Sequence, residues 1–280
     1  MDRYPKVIGF VPTYNASHFI ENTLNALAAQ EYPNFEIWIC DDASSDDTLE
    51  ICQKYAEKDR RFKAWGNDKN LGWFKTSQNL WIAAAIESDF CFTNPHDDLP
   101  YPTYISELVS LLISKPNACL AIPGMENEYH DQTISSFYTH ASGDLNVIDR
   151  TMVIIHRNIH YWWAPFHGLH RSENVLQAYP ISTLSFGEKE FSLDLVAIMK
   201  MGFYGQFVTS DKILFKKVYK KKSVSARWSH GLTNRLALWH RILKEIKNSS
   251  LHNEVKSAIY MRIISLGFQK LGSRIGFLPK

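Results

Sequence analysis

Two pairs of adjacent carboxylates, Asp41-Asp42 and Asp97-Asp98, are the first residues of this chain whose types and spacing invite chemistry. Asp97-Asp98 follows the run Phe90-Cys91-Phe92-Thr93-Asn94-Pro95-His96, whose apolar part stops abruptly. Adjacent carboxylates repel, so placing them at the end of a buried strand costs energy unless a cation or solvent relieves the charge. A hard divalent cation, Mg²⁺ or Mn²⁺, with a diphosphate filling its oxygen shell is one answer, and His96 would then add a ligand or orient a carboxylate. The other answer is an ordinary loop start in which Asp caps a turn. After Asp41-Asp42, the residues Ser44, Ser45, Asp46 and Asp47 read as helix caps. Asp42 itself either caps or accepts hydrogen bonds from a nucleobase or ribose. Tyr14, in Pro12-Thr13-Tyr14-Asn15, is a packed turn residue or a face on which a base stacks. The aromatic run at Trp162 and Trp163 is core packing or a platform for a sugar ring.

These groups act together only if the fold converges them. Residues 6–11, 35–40, 62–65 and 90–93 read as short apolar strands. Between them, Phe19, Ile20, Leu24, Leu27 and Ala28, then Leu49, Ile51, Cys52 and Tyr55, recur at helical spacing, and 76–87 reads as a third helix. Strands alternating with helices predict an α/β fold with a mostly parallel sheet covered on both faces. Ligands collect beyond the carboxyl ends of such strands, which is where Tyr14, Asp42 and Asp97-Asp98 fall. Further on, 105–113 and 192–201 read as helices, the second ending before Gly202, and 119–122 as a strand. Residues 126–157 show no readable period, and a helical region starts near Thr233.

The totals exclude some partners. With 31 basic and 29 acidic residues the net charge is +2, so nothing overall points to nucleic acid. Lys216, Lys217, Lys220, Lys221 and Lys222 form a local basic cluster, either a solvated face or a surface for phosphate or membrane. Cys40, Cys52, Cys91 and Cys119 form no CxxC pair, and buried reduced thiols in a cytosolic protein are the expectation. The apolar run near the N-terminus is too short for a signal peptide, and no run reaches the ~20 apolar residues of a membrane span.

In order, Pro12-Thr13-Tyr14-Asn15, Asp41-Asp42 with the Ser/Asp/Thr run through Thr48, Asn70-Leu71-Gly72 and His96-Asp97-Asp98-Leu99 resemble the motifs of family 2 glycosyltransferases of the GT-A fold. The resemblance covers about residues 5–230 and is strongest over the first hundred. It implies an inverting transferase that uses a nucleotide-diphosphate sugar, UDP-linked in the first instance. It implies a GT-A domain over 1–230, with a nucleotide-binding half (1–125) and an acceptor half (126–230), and a helical extension over 231–280. Pro12, Tyr14, Asn15, Asp42, Asn70, Gly72 and Asp97 would hold the nucleotide, and Asp97 and Asp98 the metal. Pro95 stands where that motif often begins with an acid. The base would be Glu190 or Glu188, with Asp194 a third candidate, since no Glu-Asp pair is present. Trp162, Trp163, His170 and Arg171 would face the acceptor, His230 would approach the diphosphate, and Lys216–Lys222 would close over it. The implied setting is bacterial surface polysaccharide synthesis. The acceptor would be a saccharide or lipid-linked saccharide, and the protein would be cytoplasmic or peripheral at the inner membrane face through its basic C-terminal region. Asp98→Ala is expected to abolish transfer and leave the fold intact. Two alternatives remain: a non-catalytic nucleotide-sugar-binding subunit, and a nucleotidyltransferase, for which the Gly-rich basic phosphate loop is missing.

Overall fold

A computed structural model describes residues 4–138, 143–156, 161–219 and 228–274, with side chains placed through 267. The first half follows the predicted alternation. Strands β1 (Val7–Thr13), β2 (Phe35–Asp41), β3 (Phe62–Gly66) and β4 (Phe90–Thr93) are joined through helices α1 (Ile20–Ala28), α2 (Thr48–Lys58) and α3 (Trp73–Glu87). They pair in parallel in the order β3-β2-β1-β4. Nearly every residue of β1 and β2 is buried, as parallel strands covered on both faces require. Gly9 in β1 lets Phe92 of β4 pack against the backbone: a Cβ there would sit 2.4 Å from the Phe92 ring.

Beyond β4 the sheet becomes mixed. After the short β5 (Leu99–Pro100) come α4 (Tyr104–Ser114), the long β6 (Ala118–Glu128), β7 (Thr133–Ser136) and α5 (Val147–His156). A 3-10 turn at Ala164–His167 leads into β8 (Leu169–Arg171), followed by α6 (Ser172–Ala178), α7 (Leu193–Tyr204) and β9 (Gln206–Val218). The sheet continues β4-β8-β6-β9-β5, with β7 beside β6. β8 runs antiparallel to both its neighbours, whereas β6 and β9 are parallel to each other. Helices α8 (Leu232–Asn248) and α9 (Asn253–Arg274) are the last described elements, and α8 is tied to α7 by Glu245, which pairs with Lys200 at 2.9 Å and Arg241 at 3.4 Å.

Two expectations are corrected here. Helix α7 does not stop before Gly202 but runs to Tyr204, because Arg150 Nε donates to the Gly202 carbonyl at 2.8 Å and a side chain there would crowd Ile154. The stretch without readable period holds the end of β6, β7 and α5. All four cysteines are buried and free, as expected.

Candidate active site

The carboxyl ends of β1, β2 and β4 open on one side of the sheet, and the loops there are stitched together. Asn15, at φ 48°, receives Ser45 N–H on its Oδ1 at 2.9 Å, while its own N–H donates to Ser44 Oγ at 2.8 Å. Ala16 N–H donates to Thr48 Oγ1 at 2.7 Å and Ser17 N–H to Asp46 at 3.2 Å. The Ser/Asp/Thr run therefore joins the β1–α1 and β2–α2 loops, and Asn15 is part of that seam. Tyr14 beside it is 46% exposed, which leaves its ring face open to a ligand.

Asp42 lies at the end of β2 and is 4% exposed. Its Oδ1 accepts from Asn67 Nδ2 at 2.8 Å, Leu71 N–H at 2.9 Å and Thr76 Oγ1 at 2.8 Å. Its Oδ2 accepts from Gly72 N–H at 2.9 Å. Asp42 thus shapes the Asn70-Leu71-Gly72 turn that starts α3. Asn70 Oδ1 also accepts from Gly72 N–H, at 3.1 Å, so Asn70 and Gly72 act within this turn. Gly72 has φ 91°, in the left-handed region, and a Cβ there would lie 2.7 Å from Glu190 Oε1.

The two candidate bases occupy different places. The Glu190 carboxylate sits on the N-terminus of α3, where it accepts from the backbone N–H groups of Phe74 and Lys75. Burial pushes its carboxyl above the ordinary carboxylate range; the two N–H bonds pull against that, and the Asp42 charge adds to it. Glu188 instead accepts from Ser229 N–H at 2.9 Å and Asn234 Nδ2 at 2.8 Å, and so ties the start of α8 to the body. Asp194 is in the first turn of α7, where its Oδ1 accepts from Leu195 N–H at 2.9 Å. Trp228, packed on Trp73 and Phe191, and the exposed His230, edge-on to Phe191, lie on the Glu190 side.

Asp98 is fully buried. Its Oδ1 accepts from Val218 N–H at 2.9 Å, and its Oδ2 meets Lys217 Nζ at 3.2 Å. Burial pushes its carboxyl upward and Asp97 adds to this, while Lys217 and the Val218 N–H oppose it. Lys217 Nζ lies 5.1 Å from the Trp163 ring centre and 5.6 Å from that of Tyr219. His167 packs edge-on against Trp163, with its Nδ1 4.0 Å from Asp98 Oδ2. Asp97 is half-buried beside Asp98, and His96 Nδ1 lies 3.3 Å from the Pro12 carbonyl.

These residues do not fit a divalent cation as arranged. Each Asp98 oxygen already has a protein donor, and one of these donors is itself a cation.

The acceptor set divides. Trp163 lies at this end of the crevice, and Trp162, half-buried, is next to it in the chain. His170 and Arg171 are elsewhere. Because β8 runs antiparallel to β4, His170 pairs with Cys91 and Arg171 with Phe90, at the opening residue of β4. His170 is 3% exposed, packs on Trp81, and burial drives its imidazole down to about 3. Arg171 donates to the carbonyls of Ala118 and Leu112, both at 2.7 Å. Both residues serve the core and the opposite end of the sheet, not the crevice. Of the basic cluster, Lys216 pairs with Glu126 and Glu128, Lys217 takes Asp98, and Lys220, Lys221 and Lys222 lie outside the described residues.

The sequence presented Lys217 only as one of several lysines. Its partner could have been sought from the period of a strand, because Phe215, Lys217 and Tyr219 alternate onto one face. That face meets His167, Asp98 and Trp163. Asn67, Thr76 and Trp228 carried no such signal.

A mixed α/β sheet with a strand-end crevice lined by these motifs defines a GT-A-type fold. The family model for glycosyl transferase family 2 matches residues 10–183, well over half of the chain, and the chain belongs to that family. An uncharacterized glycosyltransferase of Haemophilus influenzae is 31% identical over 112 residues, covering 40% of this chain and 34% of that protein. The putative glycosyltransferase EpsE of Bacillus subtilis is 31% identical over 113 residues, 40% of each chain. The matches thus span about two fifths or less of these relatives' length. Among solved structures, S. aureus TarS 1-349 in complex with UDP-GlcNAc superposes with a TM-score of 0.69 at 20% identity, covering 91% of this chain and 70% of that one.

Proposed function

We propose that this protein transfers a sugar, with inversion, from a nucleotide-diphosphate sugar to a saccharide or lipid-linked acceptor in the assembly of a surface polysaccharide. The observation that carries the reading is the placement of Glu190. Its carboxylate lies against Gly72, whose N–H is held by Asp42, so a partly buried base stands next to the motif that would receive the nucleoside. The names of two relatives point the same way. TarS of S. aureus, 48% identical over 50 residues (17% of this chain, 9% of that protein), is a poly(ribitol-phosphate) beta-N-acetylglucosaminyltransferase. A Campylobacter jejuni relative, 28% identical over 113 residues (40% of this chain, 35% of that protein), is a GalNAc(5)-diNAcBac-PP-undecaprenol beta-1,3-glucosyltransferase.

In this reading Tyr14 stacks on the base, and Asp42 holds the turn that borders the nucleoside. Glu190 takes the proton from the acceptor hydroxyl. The freed oxygen attacks the anomeric carbon from the face opposite the nucleotide, and the bond from that carbon to the diphosphate oxygen breaks with its electron pair on the leaving group. A raised carboxyl suits Glu190 to accept a proton near neutral pH. The crevice end carrying Asp97, Asp98 and Trp163 receives the diphosphate, and the acceptor enters between that end and Glu190, so that its hydroxyl reaches the Glu190 carboxylate. Nucleic acid has no place in this scheme. A lipid-linked acceptor would bring the protein to the inner membrane face. No described helix is long and apolar enough to cross a membrane, but Leu232 and Leu236 of α8 and Met261 and Ile264 of α9 are exposed for peripheral contact.

The test is release of nucleoside diphosphate from a panel of nucleotide-sugars, with and without candidate acceptors. Wild type is expected to turn over one donor, and Glu190→Gln to lose about 10²–10⁴-fold in kcat while still binding it. The acid limb of the wild-type profile is expected above the ordinary carboxylate range, since activity falls as pH drops through the raised Glu190 value. Binding without turnover in wild type would instead favour a non-catalytic nucleotide-sugar-binding subunit.

A further inference from the structure

The crevice contains a cation of its own. Lys217 is carried on β9, the strand whose end runs past Asp98, and Val218 N–H fixes that register by donating to Asp98 Oδ1 at 2.9 Å. The Lys217 side chain is 22% exposed while that of Asp98 is fully buried, so of the pair only the lysine reaches solvent. An ammonium carries three donors, and Asp98 Oδ2 accepts from one of them at 3.2 Å. The Lys217 ammonium itself lies over the Trp163 and Tyr219 rings, whose faces attract its charge. The result is a positively charged, preorganised group at the end of β4, beside Asp97.

We propose that Lys217 supplies, in place of a divalent cation, the positive charge that meets the donor diphosphate in this crevice. The inference rests on the nucleotide-sugar reading above. Asp98 anchors and aims the lysine. The remaining donors of Lys217 then bond the phosphate oxygens, and negative charge building on the leaving diphosphate is met by a fixed ammonium. An added metal ion would have to displace Lys217 from Asp98 before it could bind there.

The experiment is calorimetric binding of UDP, GDP, CDP and dTDP to the full chain, in EDTA and in Mn²⁺. The tightest diphosphate is then compared with its own nucleoside. Wild type is expected to bind that diphosphate in EDTA within about threefold of its affinity in Mn²⁺. Lys217→Met is expected to weaken diphosphate binding in EDTA about tenfold or more, the scale of a charge-assisted hydrogen bond, and to leave nucleoside binding unchanged. Lys217→Arg keeps the charge and is expected to retain most of the affinity. Thermal melts of both variants run alongside. Diphosphate binding that appears only with Mn²⁺, or a Lys217→Met variant that binds the diphosphate as tightly as wild type, overturns this inference alone. A Lys217→Met variant that weakens the nucleoside as much as the diphosphate overturns it as well, since the effect is then structural. If no nucleoside diphosphate binds under either condition, the donor-site reading falls and takes this inference with it.

Discussion

Asp42, at the end of β2, and Asp98, in the loop after β4, are both buried carboxylates on the same side of the sheet, with β1 between their strands, but the protein satisfies them in opposite ways. Asp42 collects neutral donors: two backbone N–H groups, a hydroxyl and an amide, all from the 67–76 segment. Asp98 takes one backbone N–H and a full cation from a strand far along the chain. The neutral cage fixes the shape of a turn and leaves a net negative charge in it. The ion pair cancels its charge, and its lysine is the partner that reaches solvent. One end of the crevice is therefore a turn held rigid beside the exposed Tyr14 ring, and the other presents a lysine, the two features that a nucleoside and its diphosphate would meet.

Removing each part in turn tests this division. Asp98→Ala carries the largest expected effect. It strands Lys217 beside an apolar wall, and losing one partner of a buried pair costs about 3–5 kcal/mol, readable as a shift in the denaturation midpoint. The melting curve of Asp98→Ala therefore tests the expectation that the fold stays intact, and lost activity in this variant identifies a catalytic group only if it does. Next comes Asp42→Ala, which leaves the Leu71 N–H and the Thr76 hydroxyl without their acceptor and Gly72 N–H with Asn70 alone. It is expected to cost about 1–3 kcal/mol and to raise the donor KM, because the 67–72 turn loses its anchor. Glu188→Gln keeps one acceptor oxygen for Ser229 and Asn234, so it is expected to lower stability by about 1 kcal/mol while kcat stays within about threefold of wild type. A loss as large as that of Glu190→Gln would reverse the assignment of the base. The smallest effect is Tyr14→Ala, which is expected to weaken nucleoside binding by about 1 kcal/mol with no change in melting temperature, since the ring is exposed.

Much of the nucleotide half was legible in the sequence, because parallel strands buried on both faces appear as unbroken apolar runs that end at polar clusters. Residues 35–41 and 90–93 show this directly, and Asp42 and Asp98 mark their ends. The other half resisted for identifiable reasons. β8 is three residues long and enters the sheet reversed, so the local pattern around His170 and Arg171 carried no sign that they point toward the wrong end. The second half of β9 mixes apolar residues with Lys212, Lys216 and Lys217, which makes a half-buried strand look like a basic loop. Glu188 and Glu190 are two residues apart in a segment without regular structure. Only the tertiary fold sends one to the start of α8 and the other to the start of α3.

The most direct measurement is a crystal structure of the protein with the tightest-binding nucleoside diphosphate. The account predicts the base against Tyr14 near the Asp42 turn and a phosphate oxygen within hydrogen-bond distance of Lys217 Nζ, with the Lys217–Asp98 pair intact. A diphosphate bound at the opposite end of the sheet, in the roughly 600 Å³ cavity lined by Asp89, Arg171 and Glu173, would contradict it.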